Sequence, residues 1–433
     1  MATPVGELRR ELNVIDAVAI FVGIILGSGV FVAPAQVIGA APTPVAAIGL
    51  WLAGGVIAAC GAFTYAECGA RLPSNGGFYV YYRAVYGEPL AFVGGWSATF
   101  VTYPASTAAI ALLGAQYGGV IVPALADKTR WVATAAVLAT GVLNWAGVRT
   151  GASAQRVLTA FKVLTVLGVC GAALFAKPAE VALGMPPAAS LAVALTAMVS
   201  VLWSYDGWSD VTLITGELER PERNLGRAVA IGVVTLFTVY VLVQLSVMAL
   251  LPAAAAAASP SVLADAVQVA LGAGAASVLA AIVCVSTFGS VNGIVLTASR
   301  LGHAMSVDGV IPPWFARLHP RRNTPGRTIA VMVACTTVYV WASDFRGLLE
   351  FFGQTIWLFY GLTAVSALVL RRRGPAPGFR APWFAPWVVV ATALAMSIGL
   401  AVANPKRFFI GVALVSAALP AYLIWRVVKQ RLA

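Results

Sequence analysis

Gly23-Ile24-Ile25-Leu26-Gly27-Ser28-Gly29-Val30-Phe31 sits in the middle of an apolar segment, residues 14–40, that would otherwise read as one membrane-crossing helix. Consecutive small residues at Gly27, Ser28 and Gly29 interrupt it. A helix broken inside lipid frees backbone N–H and C=O groups, and these must find partners. A later apolar segment, residues 190–217, is interrupted in the same way by Ser204-Tyr205-Asp206-Gly207. Counted along the chain these are the first and sixth apolar segments. Breaks five helices apart are what an inverted repeat of two five-helix units predicts, with a ligand held at the midplane between them. Taken alone, Gly23 and Gly27 read as close-packing positions of a membrane helix. The break at Ser28 calls for a polar ligand.

The rest of the chain agrees with a membrane setting. Of 433 residues, 60% are hydrophobic and 10% charged, whereas a soluble surface needs about a quarter charged. A spanning helix takes roughly 20 mostly apolar residues. Segments of that kind lie near residues 14–40, 44–70, 88–116, 131–148, 156–176, 190–217, 227–251, 275–303, 327–344, 349–371, 383–403 and 406–428. The expected architecture is therefore an all-α membrane protein of 12 transmembrane helices. Residues 1–13 form a cytoplasmic N-terminus, 14–176 the first repeat, 190–371 the second, and 383–428 two accessory helices. Ala253–Ala258, between Pro252 and Pro260, reads as an external connection with a short surface helix. The first segment runs past any small-residue cleavage site, as an uncleaved helix does and a signal peptide does not.

The net charge is +12, and its placement explains it. With the N-terminus inside, 21 of the 28 lysines and arginines fall in cytoplasmic segments, six fall outside, and Lys162 alone lies within the membrane. This bias fixes the orientation, with both termini in the cytoplasm of an inner or plasma membrane. It gives no reason to expect nucleic acid as a partner; membrane lipid is the expected surrounding. Cys60, Cys68, Cys170, Cys284 and Cys335 lie in or beside apolar segments and read as packing residues. His303 and His319 lack a metal-like constellation. Without a nucleotide loop, a nucleophile with its base or a ligand cluster, neither an enzyme nor a cofactor or metal is expected.

An unwound midplane segment offers N–H donors at the start of one half-helix and C=O acceptors at the end of the other, which suits a zwitterion. At these residues the sequence resembles a known family. The Gly23–Phe31 stretch with Pro34 is similar to the first-helix signature of the amino acid-polyamine-organocation (APC) superfamily. Leu202-Trp203-Ser204-Tyr205-Asp206-Gly207-Trp208, with Gly216-Glu217 and Pro221-Glu222-Arg223-Asn224-Leu225, resembles the sixth helix and following loop of its L-type amino acid transporter branch. Phe288-Gly289-Ser290-Val291-Asn292-Gly293, Glu67-Cys68-Gly69-Ala70-Arg71-Leu72-Pro73 and Phe379-Arg380-Ala381-Pro382-Trp383 add to the match in the family's order.

The resemblance implies an amino acid transporter working by alternating access, through sodium-independent exchange or facilitated transport. A proton- or cation-coupled symporter remains an alternative, as does a channel or receptor sharing the fold. It also implies site roles: the Ser28 and Gly29 amides beside Gly27 for the substrate carboxylate, and carbonyls near Ile25 and around Trp203, Ser204, Tyr205 and Asp206 for its amino group. Trp203 sits where the family has an aromatic gate; otherwise it is a packing residue. Asp206 replaces the glycine of some relatives. It reads either as a contact for cationic substrates, the ammonium or a coupled proton, or as a cap on the broken helix. Lys162 lies about two turns inside Arg156 at ~1.5 Å per residue. It either snorkels back to the interface or, as the resemblance implies, satisfies the freed carbonyls of helix one where sodium-coupled relatives bind a cation, near Ser286 and Thr287. Glu67 and Glu217 sit near cytoplasmic helix ends, where solvated charges and ion pairs to neighbouring arginines are both ordinary; a gating role is the alternative. The loop Tyr117–Arg130 has no cysteine where eukaryotic L-type chains join an ancillary glycoprotein, so no disulfide-linked subunit is expected.

Overall fold

The computed structural model describes residues 8–27, 29–41, 43–173, 191–259, 261–272, 274–375, 377–403 and 405–432. Residues 1–7, Ser28, and residues 174–176 and 190 at the expected repeat edges lie outside that set. The described residues are helical throughout, apart from connections and one isolated bridge between Leu12 and Leu218.

The first apolar segment is two helices, α1 (Val14–Ile25) and α2 (Gly29–Ala40), bent by 52° at the break. Asn13 starts α1 with a reciprocal cap: its Oδ1 accepts from the Ile15 and Asp16 amides, and Asp16 Oδ2 accepts from the Asn13 amide at 3.0 Å. α3 (Pro44–Arg71) is capped by Thr43 and opens on Pro44, whose fixed φ suits a first turn. After it come α4 (Phe78–Tyr86) and α5 (Glu88–Ser97). A π-helical turn, Ala98–Thr102, joins α5 to α6 (Tyr103–Ile121). Then follow α7 (Thr129–Trp145), α8 (Val148–Ala173) and α9 (Leu191–Ser204).

Beyond α9 the chain unwinds over residues 205–209 and resumes as a 3₁₀ turn, Asp210–Glu217. It continues through α10 (Pro221–Leu250), the short α11 (Ala253–Ala258) and α12 (Val262–Leu271), and α13 (Ala275–Val307). α14 (Gly326–Ala342), α15 (Phe345–Arg372), α16 (Ala385–Ala403), α17 (Pro405–Ser416) and α18 (Ala418–Leu432) complete it. Among the described residues, seven helices are long and apolar enough to cross a membrane, eight if the bent α1–α2 pair is one span. The exposed surface is rich in large apolar residues such as Val45, Val157, Leu164, Val234 and Ile398, as lipid-facing helices require.

Several boundaries move relative to the sequence reading, among them those of α8 and of the connection around Ala253–Ala258. α8 begins at Val148, eight residues before the expected 156, because only Ala146 and Gly147 are needed to turn from α7. Lys162 is thus 14 residues, about 21 Å, into its helix. The connection around Ala253–Ala258, expected to be external, holds a second helix, α12, because residues 262–271 bury Val262, Leu263, Ala266 and Val267 on one face.

Packing sets the two breaks side by side. α1 lies against α8, α10 and α13, while α2 runs along α9. Gly29, which opens α2, is so close to the end of α9 that a β-carbon there would sit 2.5 Å from the Ser204 Cα. Gly23 meets Gln155 and Thr159 of α8, and Gly27 meets Ser290 of α13, as close-packing positions should.

Candidate functional site

Val22 O takes the amide of the capping Leu26; beyond it the carbonyls of Gly23, Ile24, Ile25 and Leu26 lie past the regular helix bonds, as at any helix end. Each is met from outside. Lys162 Nζ donates to Gly23 O at 2.6 Å and to Leu26 O at 3.1 Å, and also to Ser290 Oγ at 3.0 Å. Ser290 Oγ lies 3.1 Å from Gly23 O and 3.2 Å from Ile24 O, and Ser286 Oγ donates to Leu26 O at 3.0 Å. Ile25 O accepts from the Gly27 amide at 2.7 Å and from Tyr240 Oη at 3.1 Å. The Tyr240 hydroxyl also lies 2.5 Å from Ser204 O, so its single proton is shared between carbonyls on both breaks. Lys162 is 1% exposed. Its ammonium therefore does not reach back to an interface; it completes a helix C-terminus, where the macrodipole favours a cation.

On the opposite side of α1 a narrow cavity lies between the breaks, α6 and α15. Ile25, Gly27, Gly29, Trp203, Asp206 and Asp210 line it, with Tyr103 and Tyr360. About 40 Å³ of it admits water-sized molecules, room for about three waters. Both carboxylates carry hydroxyl donors. Tyr360 Oη donates to Asp206 Oδ1 at 2.5 Å, while Tyr103 Oη and Ser209 Oγ each donate to Asp210 Oδ1 at 2.9 Å. Gly207 turns the chain between them at φ +112°, where a β-carbon would also press on Ile24 and Ile25. The charges of the site are thus sorted: a cation behind α1, and two acids facing the cavity.

The family described as Amino acid permease matches residues 12–425. The chain belongs to that family. Among curated relatives, the permease is 31% identical over 388 residues to the human b(0,+)-type amino acid transporter 1, covering 84% of this chain and 77% of the relative. The rat Large neutral amino acids transporter small subunit 2 is also 31% identical over 388 residues, covering 85% and 71%. The family is one of transporters, and the chain is a multi-pass membrane protein rather than an enzyme.

Of the residues singled out in the sequence, Ile25, Gly27, Gly29, Trp203 and Asp206 line the cavity. Ser28 is not among the described residues. Ser204 packs under Gly29 instead of lining the cavity, and the Tyr205 ring turns away to Trp51 and Tyr240. Ile25 O is already doubly bonded. Ser286 pairs with Ser290 in holding α1, because residues four apart share a helix face. Thr287 is rotated off that face; it bonds Val283 O and packs on Gly114.

Of the two settings open to Glu67 and Glu217, water or arginine ion pairs, both take ion pairs. Glu67 is fully buried between Arg71 and Arg371 and accepts the Ala381 amide; Glu217 is 1% exposed and paired with Arg300. The sequence reading also missed Tyr103, Asp210, Tyr240 and Tyr360. Asp210 had a signal, since it continues the polar interruption that begins at Ser204. The three tyrosines had none: an aromatic in an apolar segment reads as packing until its hydroxyl is seen to reach a partner.

Proposed function

We propose that this permease carries amino acids across a cell membrane by alternating access, as sodium-independent exchange or facilitated transport, with the substrate zwitterion between the two breaks. The chain crosses twelve times in this reading, with residues 14–176 and 190–371 as inverted repeats, 383–428 accessory, and both termini cytoplasmic. The amides of Ser28 and Gly29, at the start of α2 beside Gly27, hold the substrate carboxylate. Asp206, with the carbonyls of Trp203 and Tyr205 at the end of α9, faces its ammonium. Trp203 closes the pocket.

The observation that carries the reading is Lys162, whose ammonium lies on Gly23 O, Leu26 O and Ser290 Oγ at the broken helix. A fixed cation there leaves no role for a dissociable one. The relatives' names, an amino acid transporter and a large neutral amino acids transporter, support the cargo. One of them is named a small subunit. The stretch Tyr117–Arg130 has no cysteine for a disulfide to a partner, which supports a chain that works without one.

Counterflow of labelled amino acids in proteoliposomes tests this. Uptake is expected to be unchanged when choline replaces sodium; strict dependence on sodium would overturn the proposal. Trp203→Ala is expected to slow uptake several-fold while the protein still elutes as a folded species, and unaltered kinetics would remove the gate. For topology, single cysteines in residues 117–130 and 252–262 are expected to react with an impermeant thiol reagent from outside intact cells. Reaction instead at cysteines placed at residues 153 or 375 would reverse the orientation.

A further inference from the structure

Away from the breaks, on the outer face of the bundle, α7 and α14 leave a groove of about 680 Å³ between them. Its floor and walls are apolar. Ile329 and Val333 of α14 are buried beneath it, whereas Leu138 and Val142 of α7 stand at its side 52% and 63% exposed. One end is of a different character. There the connection from α13 to α14 brings Trp314, Arg317, His319 and Arg327 to the rim beside Trp145. The Arg322 guanidinium lies 4.9 Å over the Trp145 ring, and that of Arg327 lies 4.9 Å over the Trp314 ring. Arg327 also donates to Trp314 O at 3.1 Å. His319 fixes the turn: its amide donates to Thr324 O at 2.9 Å, and its Nδ1 faces the amides of Arg321 and Arg322.

The charge on this rim is unopposed. No aspartate or glutamate occurs between Asp308 and Asp344, a stretch with four arginines. None of the ion pairs among the described residues involves Arg317, Arg321, Arg322 or Arg327. An apolar groove on a lipid-facing surface is filled by hydrocarbon. Two half-exposed tryptophans at one end mark the level of the headgroups, where their amphipathic rings belong. The three guanidiniums placed there, of Arg317, Arg322 and Arg327, have no ion pair among the described residues and select a negative headgroup, and arginine suits phosphate because its planar fork donates in pairs.

We infer that this groove is a binding site for one anionic glycerophospholipid, with an acyl chain along Leu138, Val142 and Val333 and the phosphate against Arg317 and Arg327. The inference rests on the chain being a membrane protein and is independent of what it carries. Native mass spectrometry of the intact protein, with phosphatidylglycerol and phosphatidylcholine of identical acyl chains, tests it.

Phosphatidylglycerol is expected to be retained in preference to phosphatidylcholine. Each of Arg317→Gln and Arg327→Gln is expected to weaken that preference about fivefold, as for one basic group beside an anionic surface. Leu138→Trp fills the groove without touching a charge and is expected to lower retention of both lipids. Glycerol phosphate, the headgroup without chains, is expected to compete poorly. Equal retention of the two lipids by the parent, or an unchanged preference in Arg317→Gln, whose exposed site leaves folding intact, would overturn the inference. So would full competition by glycerol phosphate, because the groove would then hold no chain.

Discussion

Lys162→Ala is expected to lower amino acid uptake in proteoliposomes at least about tenfold while the protein is still recovered from the membrane. The substitution removes a buried ammonium that makes three bonds at the end of α1. Hydrogen bonds to charged groups contribute ~1.5–3 kcal/mol each, and ~1.4 kcal/mol already corresponds to a tenfold change in rate. Gly23 O keeps Ser290 and Leu26 O keeps Ser286, so the helix end survives; what it loses is the positive charge. A second variant separates charge from placement. A β-carbon on Gly289 would lie 2.8 Å from Lys162 Cε, so Gly289→Ala should displace the ammonium without removing it. It is expected to share the defect. Full uptake by Lys162→Ala would remove the lysine from the mechanism.

The largest loss of stability is expected at Glu217→Ala. Arg300 is fully buried, and its Nε and Nη2 donate to the two Glu217 oxygens at 2.7 and 3.2 Å, with Leu296 O and Ser299 Oγ satisfying Nη1. Removing the carboxylate strands a guanidinium in the protein interior at a cost of ~3–5 kcal/mol. Replacing both partners by apolar residues of similar volume is often close to neutral. The double variant Glu217→Leu/Arg300→Met is therefore expected to recover much of what the single one loses. The check is the apparent melting temperature in detergent, followed by size-exclusion of the heated protein. A single variant as stable as the parent would show that Arg300 finds water there.

The helical class, the two breaks and the place of Lys162 inside an apolar segment were legible in the sequence, because each is a local departure from an apolar background. Three small residues, or a lysine among leucines and valines, stand out against lipid-facing composition without any knowledge of neighbours. The partners of these groups were less legible. Nothing near Tyr240 shows that its hydroxyl reaches residues 25 and 204, contacts 215 and 36 positions away. The full burial of Glu67 and Glu217 was hidden for the same reason: their nearness to helix ends suggested water or neighbouring arginines, while Arg371 and Arg300 arrive from distant segments. The π turn at Ala98–Thr102 was invisible too, since its sequence reads as ordinary helix, yet it precedes Tyr103 and so sets the register at which that ring meets Asp210.

The end of α1 is held from three directions: Lys162 on α8, Tyr240 on α10, and Ser286 and Ser290 on α13. A small tilt of that half-helix cannot loosen these contacts one at a time, because the donors are anchored on different walls and the acceptors are consecutive carbonyls of one rigid end. Each carbonyl left buried without a donor costs ~1–3 kcal/mol, so a half-tilted α1 with two or three of them stranded would be rare at equilibrium. Movement of α1 should therefore be a jump between two complete sets of partners, and a probe on residues 14–25 should report two discrete positions exchanging, without a continuum between them.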